Sequence, residues 1–232
     1  MRRLKLALLG TAVLSLSLLA IPGAHAAVTA VSKPAVAAAA PTASQLLAKT
    51  NSCSVASKSK YKTDEDAGSS TINICKSGSA FFWKADMDID CDGVSTSVCN
   101  SSTDDAYQNQ TSFETSKGKS FTASTTHFFV IPLPSSKFSY TAQGIKPGTT
   151  AAIIYQGKVV YAVFADEGPS GIIGEASYAT ARDLGIDPNP NTGGTDSGVT
   201  YIVFKNSVPS PVESNSAITA KGQAAAAAWL AS

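Results

Sequence analysis

Two carboxylates nine residues apart, Asp166 and Glu175, bracket a Gly/Pro turn, Gly168-Pro169-Ser170-Gly171. The apolar run Val159 to Ala165 delivers Asp166 and Glu167 to that turn, and Ile172-Ile173 leads from it to Gly174-Glu175-Ala176-Ser177. If the turn folds back, both carboxylates face one groove. Paired carboxyl groups cleave glycosidic bonds: one acid protonates the leaving oxygen, and one carboxylate activates water or attacks. The acid needs a raised pKa, which apolar surroundings supply. Glu175, with Ile172, Ile173 and Ala176 as sequence neighbours, suits the acid. Asp166, emerging from an apolar strand at a polar turn, suits a base reached by water. A structural reading competes with this one. Glu175 stands just before a helix pattern, where a carboxylate stabilises the helix dipole.

A second informative stretch is Asp86-Met87-Asp88-Ile89-Asp90-Cys91-Asp92-Gly93. In a strand, side chains alternate faces. Asp86, Asp88, Asp90 and Asp92 then share one face, and Met87, Ile89 and Cys91 the other. Four like charges on one face repel one another, so a cation nearby would relieve them. Three readings stay open. The stretch is a solvated edge strand whose charges block aggregation, a calcium loop, or a binding face for a polycation. Asp88-x-Asp90-x-Asp92-Gly93 copies the start of an EF-hand loop, but the twelfth position, which needs a bidentate Glu, is Cys99.

Other chemistries find less support. His127 is the only histidine after His25, it lies in an apolar run, and no Gly-x-Ser-x-Gly segment accompanies it. Gly-rich phosphate loops are absent, so the carboxylate chemistry calls for no cofactor and no metal. The four cysteines, Cys53, Cys75, Cys91 and Cys99, read as two disulfides in an exported chain. Three connectivities are open. Cys53–Cys75 and Cys91–Cys99 are favoured because both close short local loops.

The first 26 residues read as a secretory signal. Arg2, Arg3 and Lys5 form the basic start, Leu6 to Ala20 the apolar core, and Ala24-His25-Ala26 the cleavage site. Removing them leaves fifteen basic and seventeen acidic residues. So even a balance argues against a nucleic-acid binder, which needs a basic stripe. No later stretch reaches the ~20 apolar residues of a membrane span. A secreted, extracellular monomer with no membrane contact is expected. Residues 27–43 read as a flexible Ala/Pro-rich leader, and 44–232 as a single catalytic domain.

These features together resemble the chitosanases of glycoside hydrolase family 75. Fungal members carry a Met-Asp-Ile-Asp-Cys-Asp-Gly stretch, matched by Met87 to Gly93. They also carry a Gly-Asp-(turn)-Gly-Glu-Ala-Ser segment, matched by Ala165-Asp166 and Gly174 to Ser177. The cysteine pattern is similar too, and the likeness runs from about Cys53 to Phe204. The resemblance implies endo-hydrolysis of β-1,4-linked glucosamine polymer (chitosan) by inversion, with Asp166 and Glu175 as the essential pair. An inverting pair holds its carboxyls roughly 6.5–9.5 Å apart. Chitosan is a polycation, and Asp88, Asp90 and Asp92 are then expected to bind its ammonium groups. Each such exposed contact is worth about 1 kcal/mol. Glu167, a third carboxylate that the family turn lacks, is expected to be exposed or substrate-facing. Trp83, Tyr161 and Tyr201 are candidate sugar-stacking platforms, each with a core role as the alternative. The competing function is a non-catalytic domain that binds a cationic or cell-wall polysaccharide.

The elements that must position these residues are short. Strands are expected at Thr71–Cys75, Ala80–Trp83, Asp86–Asp92, Thr126–Ile131, Ala151–Tyr155, Lys158–Ala165 and Val199–Phe204. Gln156-Gly157 is a hairpin turn. Helices are expected from Ser44 as N-cap, over Ser177–Leu184 with Gly185 as C-cap, and over 217–231 at the C-terminus. Residues 100–125 and 187–198 read as surface loops. The result is β-dominated α+β: a compact six-stranded barrel with one crossover helix and a C-terminal helix. The double-psi barrel of some other inverting glycosidases is one candidate for it.

Overall fold

The computed structural model describes residues 39–232; the signal segment and the leader up to residue 38 lie outside the described residues. In chain order the elements are α1 (Ala43–Ala48), β1 (Ser54–Val55), β2 (Cys75–Ser77), β3 (Ala80–Asp90) and β4 (Phe128–Pro132). They continue with β5 (Thr150–Tyr155), β6 (Lys158–Gly168), β7 (Glu175–Ser177), α2 (Tyr178–Leu184), β8 (Thr195–Phe204) and α3 (Asn215–Leu230).

Six strands close into a barrel in the order β3-β7-β4-β6-β5-β8, with β8 pairing back onto β3. β1 and β2 extend the sheet as a ribbon on the other side of β3. The β3–β7 and β4–β6 seams are parallel and the other barrel seams antiparallel. The barrel, the crossover helix and the C-terminal helix are as expected from the sequence. The crossover from β6 to β8 does not pair those two strands, because β5 lies between them.

Apolar runs rather than clean alternation mark β4, β5 and β6 because both faces of the wall are covered. Trp83, Met87, Phe129, Ile131, Phe164, Tyr201 and Val203 fill the lumen. Phe82, Tyr161, Val163, Ile202 and Phe204 pack outward, with Leu46 of α1 and Ile218 and Trp229 of α3 over them. Trp229 also donates its indole N–H to the Ser77 carbonyl, tying α3 to the ribbon.

Local chemistry sets the element ends. Gln156 and Gly157 have φ of 46° and 80°, the two left-handed residues of a type I′ hairpin between β5 and β6. Ser177 caps α2 through the Thr180 N–H, and Gly185 ends it in the left-handed region. α1 is capped by Thr42, not Ser44: Thr42 and Gln45 form a reciprocal capping box, and Ala43 is buried. The end of the expected leader therefore belongs to the fold. Both favoured disulfides form, Cys53–Cys75 and Cys91–Cys99.

Several boundaries differ from expectation: β2 is Cys75–Ser77 rather than Thr71–Cys75, and β8 begins at Thr195, inside the expected 187–198 loop. Ala80–Asp90 is one strand instead of two, because β8 pairs along it across a register shift at Ala85–Met87. β6 runs on through Asp166 to Gly168, because β4 pairs with it that far. The 100–125 segment folds back on the body and buries Asp104, Thr111, Phe121 and Ala123. Its polar composition hides this, since its contacts are made by backbone groups and a few isolated side chains.

Candidate active site

The end of β6 carries Asp166. Along β6, Ala162 and Phe164 face the lumen while Val163 and Ala165 face outward. Opposite them, β4 shifts register, so that Phe129 pairs with Phe164 but Val130 with Asp166. A bulge of this kind re-aims the side chain beside it. Asp166 is 5 % exposed, and its Oδ1 accepts from Ser112 N–H at 2.9 Å, Ser112 Oγ–H at 2.5 Å and Glu167 N–H at 2.8 Å. Its Oδ2 is buried without a partner.

β7 carries Glu175 and lies between β3 and β4. Its parallel register sets Glu175 beside Asp88 and Ser177 beside Asp90. Gly174 leads into it with φ of 131°, and its bare Cα lets the Asp86 carboxylate approach. The Glu175 carboxyl folds toward the end of β6: a Cβ built on Gly168 would stand 3.2 Å from Glu175 Oε2. The turn between the two candidate catalysts thus does fold back. It is held there by pairing of Lys62 with Gly171 and Ile173.

A cleft of about 320 Å³ opens over this seam. Asp88, Asp90, Asp92, Asp104 and Glu175 supply carboxylates to its walls, and Pro190, Asn191 and Gly193 close the far side. Asp166 lies behind that wall rather than in it. One carboxylate oxygen each of Asp90, Asp92 and Asp166 lie within 4.8 Å of one another. A second triad, Asp64, Asp86 and Asp88, is equally close. The geometry of either could hold a cation; oxygen-only donors suit a hard one.

Backbone N–H groups hold the acids in place. Asp92 N–H donates to Asp90 Oδ1, Gln108 N–H to Asp92 Oδ1, and Ala106 N–H to Asp104 Oδ1. Among the described residues the ion pairs are His127–Asp183 and Arg182–Asp183, neither of which touches the cluster. Burial without a countercharge therefore raises these groups. Desolvation, then Asp88 and Asp166, pushes Glu175 up to about 8. Desolvation pushes Asp88 and Asp92 up to about 6. Asp90, almost fully buried, is raised by desolvation and then by Glu175 and Asp166. Asp166 is raised by desolvation too, but its bonds from Ser112 and Glu167 pull the other way. Glu175 thus faces the cleft with its carboxyl raised by burial, while the hydrogen bonds to Asp166 Oδ1 oppose the rise that burial imposes there.

Of the residues singled out from the sequence, Asp88, Asp90, Asp92 and Glu175 line the cleft, with Asp166 immediately behind them. Glu167 does not join them. It is half-buried, and its Oε1 accepts from the Tyr140 hydroxyl at 2.6 Å. The aromatic platforms are a correction. Trp83 and Tyr201 stack on each other inside the barrel, with centroids 5.3 Å apart, and Tyr201 donates to the Asp86 carbonyl. Tyr161 lies under α3 against Gly222. Buried rings offer no face to a sugar; alternation put Trp83 and Tyr201 in the lumen and Tyr161 on the outer face under α3, and no local signal distinguished these from a groove. Ser112 and Asp104 were missed. Both come from the polar 100–125 segment, where nothing in the sequence marks one residue from the next.

A family model described as "Fungal chitosanase of glycosyl hydrolase group 75" matches residues 87–230. The chain is 34% identical over 173 residues to an endo-chitosanase C of Aspergillus oryzae, an alignment that takes in 71% of this chain and 43% of that protein. It is 33% identical over 177 residues to the endo-chitosanase C of Aspergillus oryzae strain ATCC 42149 / RIB 40, with the same coverage. The chain thus spans less than half the length of these relatives.

Proposed function

Because the chain belongs to glycosyl hydrolase group 75, the fungal chitosanase family, we propose that it is a secreted endo-chitosanase that cleaves β-1,4-linked glucosamine polymer with inversion. The observation that carries this reading is the pairing of a cleft-facing Glu175, pushed up to about 8, with an Asp166 whose anion accepts three hydrogen bonds. A carboxyl raised by burial beside one whose anion is hydrogen-bonded suits an acid and a base working at one pH.

In the reaction, Glu175 gives its proton to the glycosidic oxygen as the bond to C1 breaks. Asp166 takes a proton from the water that attacks C1 from the opposite face, and the anomeric configuration inverts. Among the described residues Asp88, Asp90, Asp92 and Asp104 have no basic partner, so the ammonium groups of chitosan supply the missing countercharge. A cleft of one sign concentrates a polymer of the other. An ammonium group bound there favours the ionised form of acids that burial raises, which couples affinity to the charge of the sugar. The apolar core at Leu6 to Ala20, behind Arg2 and Arg3, supports export, as do the two disulfides.

Glu175→Gln and Asp166→Asn are each expected to abolish release of reducing sugar from chitosan with circular dichroism unchanged. Full activity in either variant refutes the assignment. Product masses from chitosan, chitin and peptidoglycan test the substrate: cleavage of acetylated polymer alone rejects chitosan. Proton NMR of the first products tests the stereochemistry, with α-anomers expected.

A further inference from the structure

Asp166 is served by a residue 54 positions away in sequence. Ser112 gives its oxygen Oδ1 both a backbone N–H and a hydroxyl. With the Glu167 N–H as well, Oδ1 accepts three bonds, more than its two lone pairs hold in ideal geometry. The Ser112 hydroxyl accepts in turn from Glu167 N–H at 3.2 Å, which fixes its own proton toward Asp166. Oδ2 is left buried and unpaired.

The arm that brings Ser112 is anchored on both sides. Phe113 N–H donates to the Ala165 carbonyl at 3.2 Å, and its ring packs edge-on against Phe164 with centroids 5.0 Å apart. Thr111 Oγ1 donates to the Phe113 carbonyl and accepts from Phe121 N–H. Ser112 itself is exposed, so its placement owes nothing to packing of its own side chain.

We infer that Ser112 is a positioning residue for the base: it occupies Oδ1 of Asp166 and leaves Oδ2 as the oxygen that takes the proton. Hydrogen bonds to the ionised form lower a carboxyl pKa, and here they oppose the desolvation that raises it. They also fix the carboxylate plane, so only one oxygen is free to take a proton. This inference rests on the reading of Asp166 as the base.

The test compares wild type, Ser112→Ala, Ser112→Thr and Asp166→Asn on a soluble glucosamine oligomer, reading kcat and KM across pH. Loss of the hydroxyl raises the base pKa, so the acidic limb of kcat/KM moves to higher pH in Ser112→Ala, by about one unit. Below that limb kcat falls about tenfold with KM unchanged, and Ser112→Thr restores the wild-type profile. Thermal unfolding of Ser112→Ala is expected to match wild type, since the residue is exposed. An unshifted limb in Ser112→Ala beside an inactive Asp166→Asn overturns the inference and leaves the base assignment standing. A rise in KM without a shift also overturns it, making Ser112 a substrate contact. An active Asp166→Asn overturns the base assignment instead.

Discussion

Replacing Asp86 by Asn should stabilise the protein, and more so as pH rises. Asp86 is 3 % exposed, with Oδ1 buried and unpaired. Its carboxyl is pushed up to about 8, first by desolvation and then by Asp88, with Asp64 and Asp196 adding to it. The unfolded chain ionises this group near 3.8. Between about 4 and 8 the folded state therefore binds more protons than the unfolded state. Stability falls with rising pH across that window and levels off above it. A shift of about four units corresponds to at most ~5 kcal/mol at 1.36 kcal/mol per unit. Asp64 is exposed and its repulsion is screened, so about 2–3 kcal/mol is the expected gain for the neutral amide at pH 8. For a domain of this size that is roughly 5–10 °C in Tm. The assay is thermal unfolding of wild type and Asp86→Asn at pH 4.5 and pH 8, both in EDTA so that no divalent cation neutralises the cluster. The gap should be smaller at pH 4.5, about 1 kcal/mol, where the unfolded chain has only begun to gain from ionising the group. Equal Tm at pH 8, or the same gap at both pH values, refutes the reasoning.

Two further substitutions probe the frame around the site. Gly174→Ala places a Cβ against the Asp86 carboxylate at a φ of 131°, a strain of about 1–3 kcal/mol; Tm should drop by several degrees and activity should fall with it, because Glu175 follows directly. Tyr201→Phe keeps the ring in the barrel and loses only the bond to the Asp86 carbonyl, so unfolding should cost about 1 kcal/mol less while KM for chitosan is unchanged; a several-fold rise in KM would put that ring on the substrate.

Much of the site was legible because it is local. Asp166 and Glu175 flank one turn, and a turn that folds back brings its flanks together whatever surrounds it. Asp88 and Asp90 share a strand face by parity alone, and they reach the cleft together. The disulfides followed from short loop lengths. The barrel was suggested by the number of short strands, although Ala80–Asp90 counted as two and neither β1 nor the barrel strand β7 was foreseen. Tyr201 and Trp83 show the limit of this reasoning. Parity puts a side chain on one face of a strand, but it does not say whether that face meets a lumen or a groove. In a closed barrel the lumen takes the large rings.

The sequence by itself determined the chemistry: which acids are available, that they stand on the two sides of a turn, and that a run of aspartates lies on one strand. Only the tertiary structure decided where they stand relative to one another. The parallel β3–β7 seam sets Glu175 beside Asp88, and the register shift opposite Ala165 turns Asp166 behind the cleft wall. Ser112 reaches Asp166 from a loop with no pattern of its own. Seams, register shifts and loop returns join residues far apart in the chain through backbone hydrogen bonds. Every residue type carries those bonds, so composition and periodicity do not encode them.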